Sequence, residues 1–523
     1  MLLLELPVEL LDTIIELTLP DGLESFALSC KTVYGVGKDH VRTHTLYKRL
    51  WRSFRYDNRG NTDHGFHTPI ELLVSIYEDP LIASYIQIAD FWQKEFSPED
   101  IAQRKKQVLG DDTNLAAIVG LLDQSHHLRQ ANQDPEQWLT DMRYVEGEGD
   151  RLPDAYRGDH YSTNTATVLL LTLLPHLREL ILPNEWQDLP EFNAPPGDRL
   201  WSVLDVITCE ASLRPSSNAS LSRLETILPY THISYDNDRN GLMDLAPFLP
   251  IKSVERMHIA NAIAVDDWYT GIPFTWRNTG QTSNLRILEL AGCCIDSDGI
   301  TELVKHTPLL TTLKYSHGVK WHGCQYDWDA GNFVRAIEEH CGSTLETLAV
   351  TIDSLQGMVE TGVDSMQGFQ RLHSVELDIL VFAGPPPESE LHQGIIDNGY
   401  KYDVSEIPCL ADILPRTIKQ VRLFVPSSTG DADAGIELQT LASLFRHYAS
   451  QQPLCQPDLV ELHVGFGHAY AYADEVRHIF DAHNDSSELN RLMNEWQVEP
   501  TITDGTTWVE DFRKQYGISS HGA

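Results

Sequence analysis

At 523 residues the chain exceeds the roughly 250–300 at which one hydrophobic core stops growing, so two or more units, or one extended repeat array, are expected. Hydrophobic residues make up 42 %, aromatic 9 % and charged 22 %, the mix of a folded protein and not of a disordered one. The formal charge of −37, from 76 acidic against 39 basic residues, repels phosphate backbones and argues against a nucleic-acid partner.

The stretch Met1 to Pro7 is apolar but broken at Glu5 and Pro7, lacks a basic region and has no cleavage site. It does not read as a secretory signal, and the expected location is intracellular, in cytoplasm, nucleus or both. No apolar run approaches the ~18 residues of a membrane span, so no membrane is expected. Cys30, Cys209, Cys293, Cys294, Cys324, Cys341, Cys409 and Cys455 are scattered without paired spacing. They read as reduced, small apolar residues; neither a metal nor a cofactor is expected.

Residues 5–35 read as two or three short helices. Pro7 suits a first turn, Glu9 suits the positive end of the helix dipole, and Leu10, Ile14 and Leu17 recur at i, i+4, i+7. A second start follows at Asp21-Gly22-Leu23-Glu24, where Asp21 is placed to cap and Glu24 to reach back. Leu23, Phe26, Cys30 and Val33 continue its apolar stripe until Gly35 and Gly37 stop it. So small a unit, under about 40 residues, cannot cover its own apolar face. The rest of the chain or another protein must do so, and spacing alone does not choose. From Lys38 to Arg59 basic residues outnumber acidic ones, as on a solvated helix face or a surface for an acidic partner.

The run Leu6-Pro7-x-Glu9-Leu10-Leu11-x-x-Ile14-Ile15, followed by Leu19-Pro20-Asp21-Gly22-Leu23-x-x-Phe26-Ala27-Leu28-Ser29-Cys30-Lys31-x-x-Tyr34, resembles the F-box. The resemblance covers about 40 residues and departs at Ser29, where the family usually carries a hydrophobic residue. It implies docking on the Skp-type adaptor of a cullin ubiquitin ligase through Leu6, Pro7, Leu10, Ile14, Leu23, Leu28, Cys30, Val33 and Tyr34.

Residues 66–145 are helical in style, with Ile70 to Tyr77 and Leu81 to Ile86 split by Asp79-Pro80, and a later run from Ala116 to Leu122. Asp79-Pro80-Leu81-x-Ala83-x-Tyr85-Ile86 also resembles the segment that follows the F-box in fungal members. Residues 146–160 read as a polar linker, and a new apolar unit starts at Thr165 to Leu174.

From Leu177 onward one pattern returns nine times: apolar, two residues, apolar, one residue, apolar. It begins at Leu177, Leu224, Val254, Leu285, Leu310, Leu345, Leu372, Ile418 and Leu459, the second copy being cut short at Pro229. Leu285-x-x-Leu288-x-Leu290-x-x-Cys293-x-Ile295 fits the whole leucine-rich-repeat template, and Gly299 to Val304 supplies a return helix. The starts lie 25 to 47 residues apart, longer than ideal repeats, which implies insertions such as Trp321 to Cys324, Gly384 to Glu388 and Pro426 to Gly435. In a strand the fourth and sixth positions of this pattern enter the core while the third and fifth face outward, onto the concave side of an array. Arg256, His258, Glu289, Lys314, Glu376, Arg422 and His463 are therefore candidates for holding a target protein. The tail turns helical from Tyr472 and is expected to cap the open end.

No nucleophile elbow, P-loop, zinc-protease helix or dinucleotide fingerprint occurs. The expected architecture is α/β: an F-box helical module at 1–50, a helical linker region at 51–150, an irregular leucine-rich-repeat solenoid of βα units at 160–470, and a helical cap and tail at 471–523. The expected function is non-catalytic, as the substrate-recognition subunit of a ubiquitin ligase with the adaptor, the cullin scaffold and a target protein as partners. The alternatives are a repeat scaffold with no ligase role, or an enzyme whose site is assembled from distant repeats.

Overall fold

The computed structural model describes residues 3–56, 68–92, 98–143, 160–183, 186, 197–213, 218–229, 240–268, 272–278, 280–320, 326–357, 359–383, 407–425, 443–445, 455–456, 458–466, 501–504 and 506–518. Of the linker expected at 146–160 only His160 is described, as the first residue of a helix; residues 146–159, the insertions at 321–324, 384–388 and 426–435, and the helix expected from Tyr472 lie outside them. The chain divides into two compact units, one of residues 1–230 with 251–253 and one of 231–250 with 254–523. That boundary falls inside the 160–470 stretch that the repeating pattern presents as one array. None of the described helices is long and apolar enough to cross a membrane.

The first unit opens with four helices: α1 (Val8–Glu16), α2 (Leu23–Ala27), α3 (Lys31–Val36) and α4 (Lys38–Trp51). Their small core is Leu11, Ile15, Leu23 and Val33, each worth about 1.5–3 kcal/mol when fully buried. The single stripe expected from Leu23 to Val33 is in fact two helices. Cys30 is extended (φ −161°), and its thiol accepts the Val33 amide at 3.4 Å, so it starts α3 as a cap. Gly37 joins α3 to α4 where a Cβ would lie 3.0 Å from Ile15, so a side chain there would push into the core. Asp21 does not cap α2; Gly22 stands at that position, and the Asp21 carboxylate instead accepts from Arg223 at 2.6 Å.

β1 (Ser53–Arg55) and β2 (Ile88–Asp90) frame α5 (Pro69–Glu78) and α6 (Leu81–Tyr85). Thr68 and Glu71 close a capping box on α5, with Thr68 Oγ1 accepting the Glu71 amide at 3.1 Å and Glu71 accepting the Thr68 amide at 2.8 Å. There follow α7 (Pro98–Leu109), α8 (Asp112–Gln124), α9 (His126–Gln130), α10 (Pro135–Arg143), α11 (His160–Leu171), β3 (Glu179–Ile181), α12 (Gly197–Leu213) and β4 (Thr226–Leu228). The four strands pair in parallel in chain order, bringing Phe54, Ala89, Leu180 and Ile227 into one buried row.

The second unit carries β5 (Asn240–Gly241), β6 (Arg256–Ala260), β7 (Ala262–Ala264), β8 (Ile287–Ile295), α13 (Ser297–Val304), β9 (Thr312–His317), α14 (Ala330–Cys341), β10 (Thr347–Ile352) and β11 (Ser374–Asp378). It continues with α15 (Leu380–Ala383), α16 (Leu410–Ile413), β12 (Gln420–Val425), β13 (Glu461–Phe466), β14 (Thr501–Asp504) and α17 (Trp508–Tyr516). β6 and β8 to β14 pair in parallel, each with the next in the chain, so the fold is α/β with a large parallel sheet. β5 and β7 add a short second ladder against the far end of β8. Between the two ladders β8 slips register from Leu290 to Cys293, with Gly292 at φ +60°.

Each of the nine apolar patterns coincides with a strand that begins two residues after the pattern does. Their fourth and sixth positions are buried, for example Leu288 and Leu290, Leu313 and Tyr315, Val375 and Leu377. The Tyr315 ring lies 4.4 Å from Phe333 of α14, which identifies the face covered by the helices between strands. Asp296 caps α13 by accepting the Gly299 amide at 2.6 Å, at the return helix expected there. Cys293 is buried and its sulfur accepts the Ala262 amide at 3.3 Å, which ties the two ladders together.

Candidate functional site

Two surfaces gather the side chains of interest, one on α1 to α4 of the first unit and one on the sheet of the second. α1 carries apolar residues on two sides. Leu11 and Ile15 point into the core, while Leu10 is 52 % exposed, Leu17 79 % exposed and Ile14 half-buried. Leu28, 81 % exposed between α2 and α3, Tyr34, Val8 and Leu3 are open as well. Seven of the twelve exposed large hydrophobic side chains among the described residues lie within the first 46 positions, so the apolar exposure is concentrated and not scattered.

Of the nine residues expected to dock an adaptor, Pro7, Leu10, Leu28 and Tyr34 are exposed and Leu6, Ile14 and Cys30 partly so. Leu23 and Val33 are fully buried and belong to the interior. They hold the helices together, and a partner reaches them only if the unit opens. Val8 and Leu17 are open side chains outside the nine; the signal for them was an α1 apolar on two sides. Beside this surface α4 exposes Lys38, Arg42, Lys48 and Arg49, and Lys48 reaches Glu24 at 2.7 Å. The buried His44 hydrogen-bonds the Tyr85 hydroxyl at 2.8 Å and so fixes α4 to α6.

On the sheet, register threads six of the seven expected target-binding residues into a single row. It runs His258, Glu289, Lys314, Ala349, Glu376, Arg422, His463, one residue per strand from β6 to β13. Arg256 stands in the next row, with Ile287, Thr312, Thr347, Ser374, Gln420 and Glu461. Paired strands lie about 4.8 Å apart, so opposite charges on adjacent strands meet. His258 Nδ1 is 2.7 Å and Lys314 Nζ 2.9 Å from the Glu289 carboxylate, and Arg422 is 3.4 Å from Glu376.

Burial alone would raise the Glu289 pKa, but the hydrogen bonds from His258 and Lys314 outweigh it and hold the carboxyl below its ordinary range. Burial raises the Glu376 pKa, and there the hydrogen bond from the Trp508 amide and the charge of Arg422 offset only part of the cost. Burial and the charge of Arg422 lower the His463 pKa.

The row is covered over part of its length by the chain's own C-terminal helix. α17 sets Trp508, Val509 and Phe512 against Ala260, Ala291 and Ala349, with Tyr516 and Ile518 at the margin. Those alanines stand on outward-facing positions where larger side chains would hold a helix off. The Trp508 amide donates to Glu376 at 2.9 Å and its indole N–H to Thr351 at 3.1 Å, while the Lys314 ammonium lies 5.7 Å from the indole ring. The His258 ring is 5.4 Å from Tyr516, and Arg513 makes a two-pronged contact with Asp353, one arm at 2.9 Å. Gly517, at φ +66°, ends the helix.

Of the described tail, β14 continues the sheet beyond β13, while α17 lies on the face of the sheet, where a helical end cap was expected. His258, Glu289, Lys314 and Glu376 are engaged by α17 or by one another, whereas Gln420, Arg422 and Glu461 on β12 and β13 remain exposed. The apolar positions 508, 509, 512 and 516 form a helical stripe in the sequence, but which surface it meets is decided by residues 130 to 250 positions away. No family model matches the chain and no curated protein matches it, so the two surfaces themselves carry the functional argument.

Proposed function

We propose that this chain is a substrate receptor of a cullin-type ubiquitin ligase: an F-box protein that docks the Skp-type adaptor through α1 to α3 and holds a target on a leucine-rich-repeat-like sheet face. The observation that carries the reading is that Leu10, Leu17, Leu28 and Tyr34 are all exposed within the segment that bears the F-box-like run. Leaving such side chains in water forgoes about 25 cal/mol per Å2, which a partner protein recovers by covering them. The one-to-one match of nine sequence patterns with nine parallel strands supports the repeat-like half.

The mechanism is tethering. The receptor forms no covalent bond; it holds the target near a ubiquitin-charged enzyme and turns a bimolecular encounter into a local one at high effective concentration. The polar positions still exposed at β12 and β13, Gln420, Arg422 and Glu461, are where a target has access with α17 in place. A second reading, an interaction scaffold outside any ligase, is favoured by the self-coverage of the charged row.

Co-purification with the adaptor and cullin separates the two. Capture by the wild type, with loss in a folded Leu10→Ala, Leu28→Ala, Tyr34→Ala variant, is the expected result. All three side chains are exposed, so the variant keeps its core. A folded wild type that captures neither protein leaves the scaffold reading in place.

A further inference from the structure

A cluster on α9 and α12 of the first unit has the donor atoms of a metal site. Ser125 caps α9 by accepting the Leu128 amide at 3.3 Å, and this turn sets His126 and His127 at the start of the helix. α12 packs against α9 and brings Glu210 to the same point. Glu210 Oε2 lies 3.2 Å from His127 Nε2 and 3.5 Å from His126 Nε2, and the three ligand atoms all lie within 4.8 Å of one another. Metal–ligand bonds of about 2.0–2.2 Å at tetrahedral angles separate neighbouring donor atoms by about 3.3–3.6 Å. Both contacts with Glu210 are close to that spacing.

We propose that His126, His127 and Glu210 bind a divalent transition metal of the zinc class, cross-linking α9 to α12. The set of two imidazoles and one carboxylate suits zinc, and the exposed side of His126 leaves the fourth position to water. A plain ion pair accounts for the cluster less well. His127 is buried, and its Nε2 has no hydrogen-bond partner even though the carboxylate is close. Leaving such a nitrogen unsatisfied in the interior is costly, and a bound cation would satisfy it.

The site is independent of the ligase reading. Its test is zinc titration by calorimetry of the full chain, stripped with chelator, in parallel with cobalt substitution followed by visible absorption. The expected result is one site of defined stoichiometry with tetrahedral-type cobalt bands, weakened at least tenfold by His126→Ala and by Glu210→Gln. Both altered residues retain solvent contact, and circular dichroism checks that the variants fold. Zinc that does not bind the wild type at micromolar concentration, or that binds the folded double variant with unchanged affinity at histidines or cysteines elsewhere, overturns the proposal.

Discussion

The helices α1 to α4 and the sheet face under α17 treat their side chains in opposite ways. On the helices, leucines that composition alone would place inside are left in water, Leu28 most of all. On the sheet, charged residues that alternation directs outward are covered by a helix of the same chain, and burial there raises the pKa of Glu376, which accepts the Trp508 amide. Residue type therefore misjudges both surfaces. What marks a surface as open to a partner is whether the chain has already covered it.

The strongest way to break this contrast is to remove the cover. Trp508→Ala removes the indole that α17 buries against the sheet, with its single hydrogen bond to Thr351 and its contact with the Lys314 ammonium, at a cost of about 3–5 kcal/mol for a buried tryptophan. Hydrogen exchange should show residues 508–516 losing protection while β8 to β10 keep theirs; uniform loss across the second unit would mean that the helix is part of its core and not a cover. In the first unit, Leu23→Ala is expected to cost about 2–5 kcal/mol by denaturant melting, because its side chain is fully buried. A small effect there would show that Leu23 is not an interior residue.

A pH-dependent effect comes next. Asp378 is fully buried at the end of β11, where it accepts the Leu380 amide at 2.9 Å, and burial pushes its pKa up to about 7. The folded state therefore holds its proton more tightly than the unfolded chain, whose carboxyl titrates near about 3.9. The stabilisation is complete below about pH 4 and is lost as pH rises to about 7, on the order of a few kcal/mol in total. Asp378→Asn should then raise the melting temperature at pH 8 and leave it nearly unchanged at pH 4. An equal change at both would rule out titration as the cause. The smallest effect belongs to Leu28→Ala, expected to stay within about 0.5 kcal/mol of wild-type stability because the side chain is 81 % exposed. Set beside Leu23→Ala, it separates surface from core among residues that the sequence motif treats alike.

The sequence by itself determined the strand half of the fold. The alternation that places Leu288 and Leu290 inside, and Glu289 outside, is a property of three consecutive residues, so it is legible wherever it repeats. The short strands β1, β2, β5, β7 and β14 carry no such pattern and are strands only through their pairing with neighbours. Tertiary structure alone decided which leucines of the N-terminal helices are core, since Leu10 and Leu11 differ by one residue and by which side of α1 faces the other helices. It alone decided that α17 lies on the charged row, and that Glu210 meets a histidine pair more than eighty residues before it. These are contacts between segments far apart in the chain. Periodicity fixes how a strand or helix orients its own side chains; it carries no information about which distant segment will cover them.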